Sequence, residues 1–166
     1  MNKHVEFESV LHTIPPVFDE NSEILILGSF PSVKSRENNF FYGHPQNRFW
    51  KLLAMIFNEE VPQSVESKKD FLIKHKIALW DVIHSCDITG SSDNTIRNVV
   101  ANDISLILDN SRVKKIFTNG AIAEKLYKKY IYPHSGLLSQ KLPSTSPANA
   151  SFSLERLVEE WGIIKE

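Results

Sequence analysis

Apolar runs of strand length alternate with amphipathic helical stripes along most of this chain. Residues 23–27 are nearly all aliphatic and end in Gly28-Ser29-Phe30-Pro31-Ser32, which predicts a strand buried on both faces and then an enforced loop. From Asn47 onward, Phe49, Trp50, Leu53, Ile56 and Phe57 recur at helical spacing, and a short helix is predicted over 64–75. Residues 76–83 read as a second buried strand and 86–94 as a polar loop. Ile96, Val99, Val100, Ile104 and Ile107 then mark the stripe of another helix. A third strand over 113–118 closes on Asn119-Gly120 and leads into a helix through Ala121, Ala123, Leu126, Tyr127 and Tyr130. A weaker strand at 137–142 runs into Pro143-Ser144-Thr145-Ser146-Pro147. In the last helix Leu154, Leu157, Val158 and Trp161 share one face, with Asn149, Ser151 or Ser153 as its cap.

Buried strands alternating with helices predict right-handed βαβ units: an α/β fold, a three-layer α/β/α sandwich around a central, mainly parallel four-stranded sheet. The length suits one domain over 1–166. Ligands of such folds bind beyond the carboxyl ends of the strands, so the segments to watch are 28–50, 81–98, 119–120 and 143–149.

Composition narrows the class. With 42% hydrophobic and 23% charged residues the chain can build a core, which excludes wholesale disorder. Its longest aliphatic run, 24–27, is too short to cross a bilayer, and residues 1–6 lack the apolar stretch of a signal peptide. A cytoplasmic protein without a membrane partner is expected. The single cysteine, Cys86, excludes an internal disulfide and a four-cysteine zinc or iron–sulfur site; beside His84 it reads as a buried, inert thiol rather than a nucleophile. The net charge of −1 conceals an asymmetry, because 111–150 hold seven Lys and Arg against Glu124 alone. That local +6 fits either a polyanion partner or a solvated helix face. Gly-x-Gly-x-x-Gly, Gly-x-x-x-x-Gly-Lys, Gly-x-Ser-x-Gly and His-Glu-x-x-His are all absent, which argues against dinucleotide enzymes, P-loop ATPases, ordinary α/β hydrolases and zincins.

Two segments carry the chemistry. Residues 40–50 crowd aromatics, amides and a histidine into one loop at a strand end. Phe49 and Trp50 suit the first core turn of a helix, whereas Tyr42, His44 and Asn47 suit a flat ligand such as a nucleobase. Residues 142–149 set three hydroxyls between two prolines ahead of a helix, a stiff uncharged cradle for phosphate.

The first of these segments, with Gly28-Ser29-Phe30-Pro31-Ser32 before it, resembles the first motif region of the uracil-DNA glycosylase superfamily. In the mismatch-specific branch a Gly-x-Asn-Pro loop precedes a similar His-Pro-x-Asn-Arg-Phe-Trp stretch. Residues 142–148 resemble the second motif, which inserts beside the flipped nucleotide. The pattern is most similar to the hypoxanthine-DNA (deoxyinosine) glycosylases, for which Leu79-Trp80-Asp81-Val82, the Ser92-Asp93 loop with Ile96-Arg97-Asn98, and 142–147 are also typical. The resemblance covers about 15–161. One departure stands out: Phe30 occupies the place of the mismatch-specific enzymes' water-positioning Asn.

The resemblance implies a uracil-DNA glycosylase-like fold and a monofunctional enzyme of base excision repair. It would flip a deaminated base, hypoxanthine first, out of DNA and hydrolyse its N-glycosidic bond. Asn47 is the expected catalytic residue, with Asn38 and Asn39 as neighbouring fallbacks. Gly28, Ser29, Phe30, Pro31, Phe41, Tyr42, His44, Asp81 and Asn119 would line the base, with Phe30, Phe41 or Tyr42 stacking on it. Asp81 would accept the N1–H of hypoxanthine or else cap its turn. Ser32, Ser144, Thr145, Ser146, Pro147 and Asn149 would hold DNA, helped by nearby lysines, and Arg97 and Asn98 would order the Asp93 loop. Damaged DNA is the implied partner of a monomer that needs no cofactor, metal or iron–sulfur cluster. The competing readings are a uracil or mismatch-specific glycosylase and a non-catalytic DNA-binding module on the same fold.

Overall fold

A computed structural model describes residues 6–166, so the expectation drawn from residues 1–5 lies outside it. The chain opens with a short strand, β1 (Glu8–Leu11), then β2 (Ile24–Gly28) and the helices α1 (Val33–Asn38), α2 (Phe49–Ile56) and α3 (Val65–Lys74). Strands β3 (Ile77–Asp81), β4 (Ile83–Ile88) and β5 (Arg97–Ala101) follow, then a single turn of helix, α4 (Ser105–Leu108). The rest runs β6 (Lys115–Asn119), α5 (Ala121–Tyr130), α6 (Tyr132–Ser135), β7 (Ser139–Leu142) and α7 (Leu154–Trp161).

Four strands form the parallel sheet in the order β3-β2-β6-β7, with helices completing an α/β/α sandwich. Every residue of β2 and β3 is buried, as their unbroken apolar runs require of strands covered on both faces. The core extends through Phe41, Phe49, Trp50 and Trp161, all 5% exposed or less. Ser153 caps α7 by accepting the Arg156 N–H, one of the three caps anticipated.

The stretch 86–107 departs from expectation. Instead of a polar loop and a helix, β4 and β5 join β1 in a second, antiparallel sheet of order β1-β4-β5. Two register irregularities between β4 and β5 interrupt the alternation that marks a strand, so β4 reads as a loop. In β5, Val99 and Val100 are adjacent β-branched residues, and that composition prevails over the apparent helical spacing. This sheet positions the site: β1 ends where the His12 N–H bonds to the His84 carbonyl, 2.6 Å away, beside the corner between β3 and β4. Buried Asn102 clamps that corner by donating to the carbonyls of Asp81 (2.9 Å) and Ile83 (3.1 Å).

Candidate active site

Chain order in the parallel sheet reverses between β2 and β6, and their carboxyl ends face a common crevice. The register aligns Gly28 with Asp81 and Leu27 with Thr118, so three neighbouring strands deliver Asp81, Gly28 and Asn119 side by side. A cavity of about 320 Å³ opens there. Its walls come from the loop after β2, residues 41–47, the loop after β5's partner strand β4, and residues 144–148. Of the sequence-derived site residues, all except Asn149 line it.

Asn47 and the hydroxyl-bearing turn, about a hundred positions apart in sequence, meet directly. The Thr145 hydroxyl donates to Asn47 Oδ1 at 2.9 Å, and the Phe49 N–H reaches the same oxygen at 3.0 Å. Asn119 locks Thr145 in turn, its Nδ2 donating to the hydroxyl (3.0 Å) while its Oδ1 accepts the Thr145 N–H (3.0 Å). These bonds settle the orientation of the Asn47 carboxamide, because a backbone N–H requires the oxygen. The carbonyl is thereby saturated, and the NH₂ is the group left for the cavity. Arg48 ties the two segments together, donating to the carbonyls of Ser146 and Asn149 at 3.0 Å each and to that of Phe152.

The far end of the cavity is acidic. Asp81 is 3% exposed, and its Oδ2 lies 2.8 Å from Nε2 of buried His12. His12 Nδ1 accepts the Ile14 N–H (3.2 Å), which puts the ring proton on Nε2 and makes His12 the donor. Oδ1 remains, and it sits against Gly28. A Cβ on Gly28 would collide with Asp81 Oδ1 and lie 2.9 Å from the Tyr42 hydroxyl, so only glycine admits both groups. Gly120, at φ +98°, serves the other wall: a Cβ there would press on Ser144 Cβ at 3.1 Å.

Several expected roles change. Thr145 is fully buried and its hydroxyl is spent on Asn47, so it positions rather than grips phosphate. Ser32 caps α1, and Asn149 braces its own loop through the Ser144 carbonyl (3.0 Å) while lining an adjoining groove. Ser144 and Ser146 each accept the N–H two residues on, which leaves their hydroxyl protons free to donate. The helix expected directly behind this turn begins only at Leu154. The basic segment is split: Lys141 borders the groove, Lys128 pairs with Glu124 (3.3 Å), and Arg112, Lys114 and Lys115 gather at the opposite end of β6. Asn38 and Asn39 lie at the end of α1 and do not line the cavity. Arg97 lies over Phe7 and Asn98 donates to Asp87, so neither holds Asp93. Phe41 is 1% exposed and Tyr42 stacks on Phe49 at 4.0 Å, so packing within the protein engages both rings. Cys86 is buried and its thiol is pushed up to about 11 by that burial, in keeping with an inert side chain.

A sequence model of the Uracil DNA glycosylase superfamily matches residues 15–162. The chain belongs to this superfamily. A relative from Methanosarcina acetivorans named hypoxanthine DNA glycosylase is 37% identical over 149 residues, 89% of this chain and 92% of its own. Another of that name, from Methanosarcina barkeri, is 40% identical over 109 residues, 64% of this chain and 68% of its own. A solution NMR structure of a candidate uracil DNA glycosylase from Methanosarcina acetivorans superposes with a TM-score of 0.78 at 35% identity, covering 92% of this chain and 94% of that one. The protein is accordingly a DNA glycosylase.

Sequence reasoning missed two residues at this cavity: one behind its wall, bonded to Asp81, and one lining it. His12 directly follows β1 and stands alone in sequence, with no motif around it. Asp93 was assigned only to a loop, yet it lines the cavity and accepts the Ser29 hydroxyl at 2.6 Å. Burial raises the Asp93 pKa, with the Asp81 charge adding and the Ser29 hydrogen bond opposing. Between its unfolded and folded pKa values the native state holds a proton that the unfolded chain has released, so Asp93 costs stability as pH rises through that window. Asp93→Asn keeps an acceptor for Ser29 and removes the charge. Melting curves should place the variant above the parent at pH 8, with the gap closing toward about pH 4. A gap independent of pH refutes the assignment.

Proposed function

We propose that this glycosylase flips deoxyinosine out of duplex DNA and hydrolyses its N-glycosidic bond, releasing hypoxanthine and leaving an abasic site. The reading rests on one observation above all: the Asn47 amide, the Asp81 carboxylate and the hydroxyls of Ser144 and Ser146 share one cavity. The names of the two Methanosarcina relatives support the choice of base.

Ser144 and Ser146 donate to phosphates flanking the extruded nucleotide. Asp81 Oδ1 accepts the N1–H of hypoxanthine, where adenine carries only a lone pair, so the normal purine meets a carboxylate with no proton to bind. As the C1′–N9 bond breaks, its electron pair leaves with the base and the sugar becomes oxocarbenium-like. The Asn47 NH₂ holds a water by one lone pair, and the water's other lone pair closes on C1′. Its proton passes to solvent or to the departing base. Against so electrophilic a carbon a positioned water suffices, and an amide need not act as a base. Among the described residues no lysine lines the cavity, which favours hydrolysis over a Schiff base and hence a monofunctional enzyme.

Duplexes carrying deoxyinosine, deoxyuridine, deoxyxanthosine or a thymine mispair, each followed by alkaline cleavage, test this reading. The expected result is release from deoxyinosine in preference to the others. Strong uracil release with deoxyinosine untouched transfers the assignment to a uracil glycosylase. Salt-sensitive DNA binding with no abasic product from any lesion reduces the protein to a binding module.

A further inference from the structure

Tyr42 has features that packing alone does not explain. Its backbone sits at φ +53°, a left-handed conformation that costs a bulky L-residue about 1–2 kcal/mol. Its ring is stacked on Phe49, yet its hydroxyl is buried and, among the described residues, its proton meets no acceptor at hydrogen-bonding geometry, the Asn119 amide being the polar side chain that approaches it. Leaving a buried hydroxyl unpaired destabilises a fold, and phenylalanine would avoid that cost at this position. The hydroxyl lies beside Asp81 Oδ1, both crowding the point where a Gly28 Cβ would be. Burial and the Asp81 charge raise the phenol pKa against an opposing contact from the Asn119 amide, which keeps the hydroxyl protonated and able to donate.

We infer that Tyr42 Oη and Asp81 Oδ1 form a donor–acceptor pair that reads the –NH–C(=O)– edge of the flipped base, Tyr42 donating to the exocyclic oxygen as Asp81 accepts the adjacent N–H. This deepens the proposed function and rests on it. The edge is what deamination creates. Hypoxanthine offers N1–H beside C6=O and uracil offers N3–H beside C4=O, whereas adenine and cytosine present the reverse pattern at the same place. The strained backbone at Tyr42 then has a purpose, since it carries a packed ring whose hydroxyl stops at the strand end next to Gly28. His12 completes the reader by occupying Oδ2, so that Asp81 turns a single oxygen to the base.

Tyr42→Phe tests the pair because it keeps the stacked ring and removes only the hydroxyl. Single-turnover release from deoxyinosine should fall about tenfold, the worth of one neutral hydrogen bond, while the melting temperature holds or rises. Against 2′-deoxy-6-thioinosine, which keeps the N1–H for Asp81 and replaces the 6-oxygen with a weakly accepting sulfur, the substitution should cost less than about threefold. A deoxyinosine rate within twofold of the parent overturns the inference, as do equal losses on both substrates. If the parent enzyme releases uracil and leaves deoxyinosine untouched, the choice of hypoxanthine fails instead. Tyr42→Phe is then judged on deoxyuridine, whose edge is the same, by the same tenfold criterion.

Discussion

Asn47→Ala lowers the single-turnover rate of base release by about 10²–10³, the scale of losing one positioned donor in a catalytic site, and leaves affinity for an abasic duplex unchanged. The argument comes from what is already spent. The Asn47 carbonyl is held by Thr145 and by the Phe49 N–H, so its NH₂ is the part of the side chain available to a reacting water. The alanine variant also orphans those two donors, and a melting temperature lower by a few degrees is expected from a loss of about 1 kcal/mol. Thr145→Val separates positioning from chemistry. It keeps the Asn47 amide but removes the hydroxyl that fixes it, so its rate should fall less steeply than that of Asn47→Ala. Turnover that survives Asn47→Ala removes this residue from the mechanism. A fall in affinity that matches the fall in rate makes it a binding residue only.

The fold was legible where burial is two-sided. β2 and β3 announce themselves because every residue but the terminal Asp81 of β3 is apolar, and β6 with α5 because a strand pattern runs into Asn119-Gly120 and then a helical one. The antiparallel sheet was not, since β5 is largely exposed and β4 carries irregular pairing, leaving neither with a clean period of two. The site divides along the same line. Asn47, Tyr42 and 144–146 sit in dense local motifs, so their meeting at one cavity was legible in sequence. His12 acts through one bond across 69 positions, and no local pattern records a partner brought by a strand of the other sheet. Thr145 shows a subtler limit: its motif was visible, but only its complete burial distinguishes a positioning hydroxyl from a phosphate ligand.

Asp81→Asn should reduce release from deoxyinosine by about 10² or more, the scale on which a site built around a hydrogen bond rejects the wrong partner. His12 dictates the outcome. Its Nδ1 accepts the Ile14 N–H, so Nε2 must remain a donor, and the new amide satisfies it only by turning its oxygen toward His12. The NH₂ is then forced to the side of Gly28, where it meets the N1–H of hypoxanthine donor against donor. Stability should change little, because the buried bond to His12 survives and a carboxylate beside Asp93 disappears. Selectivity should shift in the opposite sense. The lone pair on N1 of adenine now has a donor facing it, so the ratio of deoxyinosine to deoxyadenosine release narrows as the deoxyinosine rate falls. Rates on the two duplexes with a melting curve of the variant check all three statements. A deoxyinosine rate within threefold of the parent, in a protein that melts normally, means that the Asp81 carboxylate does not read the base.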